Sequence, residues 1–194
     1  IVPSEYGIYS TCLLLQTYLT YLQLGTLNAF NRDYSQIIGA QKHEQAKKYR
    51  DTVFSFLLVI FGLALVCIIV SIIVIAKYVS MDIRFCYGYI LISVITVITI
   101  IENFGNYRCR IDKGFTYPSL VTLFELLAIP VGFFLIPYMG YYAIYIVSII
   151  TMLIGIFLYY KCSYKDIEIK IDFNLLKEIL VSGMPLLINS LIWT

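Results

Sequence analysis

VFSFLLVIFGLALVCIIVSIIVIA, residues 53–76, runs for 24 residues without a charge. As a helix rising about 1.5 Å per residue it reaches roughly 36 Å, more than the ~30 Å hydrocarbon core of a bilayer. This stretch decides the fold class, because a water-soluble core helix has no need of such a run. Reading outward from it, further apolar runs cover residues 6–26, 85–101, 118–136 and 138–160, and a sixth begins near Val181 and is cut off at residue 194. The expected fold class is all-α: a polytopic transmembrane helical bundle forming a single membrane domain.

Composition agrees. Hydrophobic residues make up 60% of the 194 and charged residues 13%. A soluble domain has about 45–50% and roughly 25%. Mean hydropathy is +0.85. A soluble globule of this size cannot hide that much apolar surface, and a disordered chain needs the opposite composition. A net charge of +2 gives a nucleic-acid partner no electrostatic support. Five cysteines without CxxC spacing and a single histidine argue against a metal site and read as passive, reduced thiols.

All Lys and Arg residues fall between the apolar runs. The 27–52 loop carries Arg32, Lys42, Lys47, Lys48 and Arg50; the 102–117 loop carries Arg108, Arg110 and Lys113; the 161–180 loop carries Lys161, Lys165, Lys170 and Lys177. The alternate connections carry only Lys77 and Arg84. The positive-inside rule therefore places the 27–52, 102–117 and 161–180 loops in the cytoplasm and residues 1–5 outside. HEQAKKYRD reads as a polar helix leading into the 53–76 span. YKDIEIKIDF reads as extended, and NLLKEIL as a helix start with Asp172 or Asn174 as N-cap. Pro185 after Gly183 predicts a local break, and the turn between the fourth and fifth runs is expected near Pro137. Tyr6, Tyr9, Tyr138, Tyr141, Tyr142, Tyr159 and Tyr160 read as interfacial belts.

Few residues are candidates for chemistry. Gln16, Thr20 and Gln23 recur at i, i+4 and i+7 of the first run, on one helix face. Amides in lipid need partners or water, so this face either bonds to another helix or lines a hydrophilic cavity. Glu125 lies inside the fourth run, about 10 Å beyond Pro118. An acid there is protonated, paired or wet, which suits ion coupling or a pairing with a neighbouring base. Arg32, beside Asp33, carries a donor fork suited to pyrophosphate; the plainer reading is an orientation charge at a helix end. No nucleophile, zinc or nucleotide motif is present.

Four segments carry a resemblance. EYGIYS (5–10) precedes the polar-faced run, and LGTLNAFNRDYSQIIGAQKHEQAKKY (24–49) follows it. These resemble the second span and following loop of the polysaccharide flippases, the O-antigen and capsule repeat-unit exporters of the multidrug/oligosaccharidyl-lipid/polysaccharide export superfamily. Gly25, Asn28, Ala29 and Arg32 match the family's glycine, Asn-Ala pair and arginine. GYYAIY (140–145) resembles the start of the sixth span, and IDFNLLKEILVSGMPLLINSLIWT (171–194) the loop and start of the seventh, with Gly183 and Pro185 in place.

The resemblance implies that the sequence is a fragment, one lobe of a two-lobed alternating-access transporter, inactive by itself. It implies flipping of polyprenyl-pyrophosphate-linked oligosaccharide repeat units across the bacterial cytoplasmic (inner) membrane for surface polysaccharide biosynthesis. Gln16, Thr20 and Gln23 would line the cavity, Arg32 would contact pyrophosphate, and Glu125 would couple the cycle to H+ or Na+, with no other cofactor. Its partners would be the lipid-linked oligosaccharide, membrane lipids and other polysaccharide-assembly proteins. A cation-coupled multidrug antiporter of the same superfamily is the alternative, followed by an integral-membrane polysaccharide polymerase or acyltransferase.

Overall fold

The computed structural model describes residues 3–78 and 83–192. Among them 90% are helical and none lies in a strand. Helix α1 (Pro3–Thr20) ends in a tight turn, Tyr21–Gln23. Leu24 and Gly25 then adopt left-handed backbone, with φ of 51° and 75°. Short helix α2 (Thr26–Ala29), a wide π-helical turn (Phe30–Tyr34) and α3 (Ser35–Gly39) follow. The long helices are α4 (His43–Tyr78), α5 (Ile83–Lys113), α6 (Thr116–Met139), α7 (Tyr142–Tyr159) and α8 (Phe173–Ile192), with a second π-helical turn at Tyr160–Tyr164.

Among the described residues, four helices are long and apolar enough to cross a membrane: 43–74, 84–113, 116–139 and 142–159. Their outer faces carry large apolar side chains in long rows. Val59, Leu63, Val66, Val70 and Ile73 are exposed on α4, as are Leu123, Leu127, Phe133 and Phe134 on α6. Water would penalise such patches, whereas lipid solvates them. The chain is therefore a multi-pass membrane protein. α1 and α8 fill the runs expected to be the first and truncated spans but are not among the four.

α5 is the axis of the bundle, packed against α1, α4, α6, α7 and the 160–164 turn. Two apolar clusters hold its two ends. Towards its start, Ile92 and Ile95 meet Ile8 and Cys12 of α1, Tyr141 at the N-cap of α7 and Tyr145 within α7. Towards its end, Ile100 and Phe104 meet Phe30 and Tyr34, Val53 and Leu57 of α4, and Ile179 of α8. Phe30 stacks on Phe104 at 4.8 Å and on Tyr34 at 4.7 Å. In lipid, helices associate by such close packing and by polar ties, because tails are as apolar as leucine.

Several sequence expectations need correction. Residues 102–113, read as loop, continue α5, because an internal face persists through them: Phe104, Arg108 and Cys109 are buried. α8 passes through Pro185 without a break; a proline removes one backbone donor, and a membrane helix tolerates that where neighbours support it. α6 likewise contains Pro130 and Pro137, and the chain turns at Gly140, φ 58°. Gln23 belongs to the tight turn after α1 rather than to a regular helix carrying Gln16 and Thr20. Tyr141 and Tyr159 are core residues, 1% and 0% exposed, not belt residues. One expectation holds: of the two N-cap candidates, Asp172 caps α8, its Oδ1 accepting from the Asn174 and Leu175 amides at 3.0 and 3.2 Å. The connection through 79–82 and residues 193–194 of the last apolar run lie outside the described residues.

Candidate functional site

The break after α1 exists because of what it passes. A Cβ on Gly25 would lie 2.6 Å from the Gly183 carbonyl carbon, and one on Gly183 would lie 2.7 Å from the Gly25 carbonyl oxygen. Two backbones thus touch where α8 crosses the chain leaving α1. Gly25 also holds φ 75°, where any side chain costs conformational energy. The two glycines that carry the sequence resemblance are one contact.

Beside that crossing lies a polar cluster. Asp33 is its hub. Arg32 donates from Nε and Nη2 to its two carboxylate oxygens at 2.5 and 3.1 Å. Tyr49 of α4 donates to Oδ2 at 3.2 Å, and Ser182 of α8 at 3.4 Å. Asp33 therefore joins three elements, while the Arg32 side chain stays 45% exposed. Two of the five N–H donors of a guanidinium are engaged, so a second anion still has a donor edge to meet.

On α1, the Thr20 hydroxyl donates back to the Thr17 carbonyl at 2.7 Å. The amides are different. Gln23 Oε1 is buried with no partner, and the Gln16 side chain has none among the described residues. Interhelical bonding does not consume this face.

Five other basic residues are spent on structure. Buried Arg50 pairs with Asp51 at 2.7 Å and donates to the Asp166 carbonyl at 2.5 Å. Buried Arg108 pairs with Asp112 at 3.2 Å and donates to the Ser163 carbonyl. Asp112 also accepts from Tyr34 at 3.3 Å, and Arg110 donates to Asn31 at 2.8 Å. Lys47 and Lys170 clamp Glu168 at 2.5 and 2.7 Å, and their hydrogen bonds, helped by their positive charges, pull its carboxyl down to about 2. These ties gather the 27–52, 102–117 and 161–180 segments, which the charge count placed on one side, into one polar layer.

Glu125 is exposed on α6 and lines a cleft of about 500 Å³ against α7, with Thr122, Ser148 and Thr151. A second acid, Glu102 of α5, sits close to it, buried between α6 and α7. The sequence reading missed Glu102 because the charge itself was used to end the third run at Ile101. Its register gave the signal: Ile95, Glu102 and Cys109, seven apart, are all buried on one face. No cluster able to hold a metal ion occurs among the described residues.

A polysaccharide biosynthesis protein family model matches residues 1–194, the entire sequence. The chain belongs to that family. No curated protein and no solved structure matches it. This polysaccharide biosynthesis protein is thus a helical membrane protein of the type its motifs resemble, and its role lies in polysaccharide synthesis or export.

Proposed function

We propose that this protein forms part of a flippase that carries polyprenyl-pyrophosphate-linked oligosaccharide repeat units across the bacterial inner membrane. One observation carries the reading: in a membrane protein of a polysaccharide family, the Gln16 amide of α1 and the Gln23 amide of the turn after it have no hydrogen-bond partner among the described residues. Unpartnered amides are costly in lipid and useful against a sugar or water. The protein makes no bond. It moves a polar, anionic head through a ~30 Å apolar slab while the lipid tail stays in the bilayer.

On this reading Gln16, Thr20 and Gln23 face the cavity. Arg32 waits on Asp33 and offers its free edge to pyrophosphate at the cytoplasmic side. A strongly charged pyrophosphate competes with a single carboxylate for the guanidinium, so the pair serves as a holding position rather than a permanent bond. Glu125 couples the cycle to H+ or Na+. An inside-negative potential assists outward movement by about 2.3 kcal/mol per charge per 100 mV. The two halves of the complete transporter rock to open each side in turn.

The test is deletion of the gene in its host, followed by measurement of surface polysaccharide and lipid-linked repeat units. The reading requires loss of surface glycan, repeat units trapped on the cytoplasmic leaflet, and rescue by the intact gene. Rescue by Arg32→Gln should export less than rescue by Arg32→Lys at equal expression; equal export by both and wild type removes Arg32 from the site. Normal surface glycan with reduced tolerance to cationic dyes would instead make the protein a drug antiporter.

A further inference from the structure

The carboxyl of Glu102 has a place built for it. Glu102 is 7% exposed, and its Oε1 is buried with no hydrogen-bond partner. It lies in a slot that exists because residue 155 of α7 has no side chain. A Cβ there would come within 3.0 Å of Glu102 Cδ and 3.2 Å of Val121 Cγ1 on α6. The Tyr159 hydroxyl, one turn further along α7, is likewise buried and unpartnered. Two polar groups of different types thus share one dry junction of three helices, each with unused hydrogen-bonding capacity.

Every titratable group recorded near Glu102 is an acid or a phenol: Glu125 from α6, Tyr159 from α7, and Tyr164 from the turn that follows. Among the described residues no Lys or Arg pairs with it; the nearest basic layer, at Arg108, is spent on Asp112 and Ser163. Helix geometry brings the two acids level. Glu102 lies about 16 Å before the end of α5, and Glu125 about 14 Å after the start of α6, on either side of the tight 114–115 connection. The α6–α7 cleft ends beside the slot, since Thr122 follows Val121 and Thr151 stands one turn before Gly155.

A carboxylate in such surroundings, with no cation and a second acid at the same level, is far costlier than a carboxylic acid. A metal ion is a poor neutraliser here, because alkali and alkaline-earth cations want about six oxygen ligands and the slot walls are Gly155 and Val121. We propose that Glu102, with Tyr159 and the Gly155 slot, is a proton-binding site whose occupancy holds α7 closed on α5. The proton sits on the carboxyl while the slot is closed. It leaves through the α6–α7 cleft, past Glu125, and the resulting carboxylate draws water and loosens α7. The site stands whatever the protein carries.

The test is infrared spectroscopy of the purified full chain in liposomes, read in the C=O stretching band of protonated carboxylic acids. At pH 7 the band is expected in wild type, lost in Glu102→Gln and retained in Glu125→Gln. It should fade as pH rises, with faster amide exchange at residues 151–159, and that acceleration should vanish in Glu102→Gln. Gly155→Ala keeps the acid but fills the slot, so the band should weaken at pH 7; this variant also covers the case in which Glu102→Gln does not fold. A band equal in wild type and Glu102→Gln overturns the proposal. So does its removal by sodium at constant pH, which would make the site a sodium site. No transport is measured, so failure here leaves the export reading untouched.

Discussion

Gly183→Ala places a methyl group 2.7 Å from the Gly25 carbonyl oxygen, about 0.7 Å inside the 3.4 Å at which ordinary contact begins. The obstacle is backbone, so no side chain can swing aside; α8 must move away or tilt. Overpacking of this kind costs about 1–3 kcal/mol. At roughly 2–4 °C per kcal/mol for a chain of this size, helix unfolding followed by circular dichroism in detergent should fall by about 2–12 °C. Gly25→Ala should cost more. Its methyl would meet the Gly183 peptide as well, and the left-handed backbone at φ 75° adds about 1–2 kcal/mol. The double variant should lose less than the two losses together, because the first methyl already separates the same crossing. Gly62→Ala is the control. Nothing lies within 4 Å of a Cβ there, and alanine is the better helix former, so α4 should be unchanged or slightly steadier. If Gly183→Ala unfolds at the wild-type temperature, the backbones do not touch and the α1–α8 crossing is wrong.

Further predictions concern the polar layer. Arg108→Met removes a buried cation that joins Asp112 to the Ser163 carbonyl, and leaving Asp112 half-supported should cost about 3–5 kcal/mol in the same unfolding measurement. Glu168 gives a pH dependence of definite sign. Its carboxyl is held at about 2, below the ordinary 4.5, so its stabilising effect is complete above the ordinary value and is lost as pH falls from about 5 towards 2. Amide exchange at residues 166–171, corrected for intrinsic rates, should rise through that window, and Glu168→Gln should flatten the rise.

Two ends of the molecule teach different lessons about legibility. The long apolar runs were readable because lipid imposes one simple demand, a helix long enough to bury its own backbone polar groups. The uncharged 53–76 run and the clustering of basic residues in alternate loops needed no knowledge of neighbours. The polar residues were not readable in that way. Glu102 and Arg108 follow the third run and Glu125 lies inside the fourth, and sequence treated the first two as boundary markers. Only packing shows that Arg108 is enclosed by Asp112 and Ser163, that Glu102 lies in a slot made by Gly155, and that Glu125 faces a cleft.

By itself, then, the sequence determined the solvent, the helical class and the family, because composition, periodicity and short motifs are properties of the chain in order. Tertiary structure decided which charges are buried, which glycines touch and which acids share a junction. Gly25 and Gly183, or Glu102 and Gly155, are far apart in sequence and meet only where helices cross. A helix surface has several faces, and which one is enclosed depends on the neighbour that packs against it.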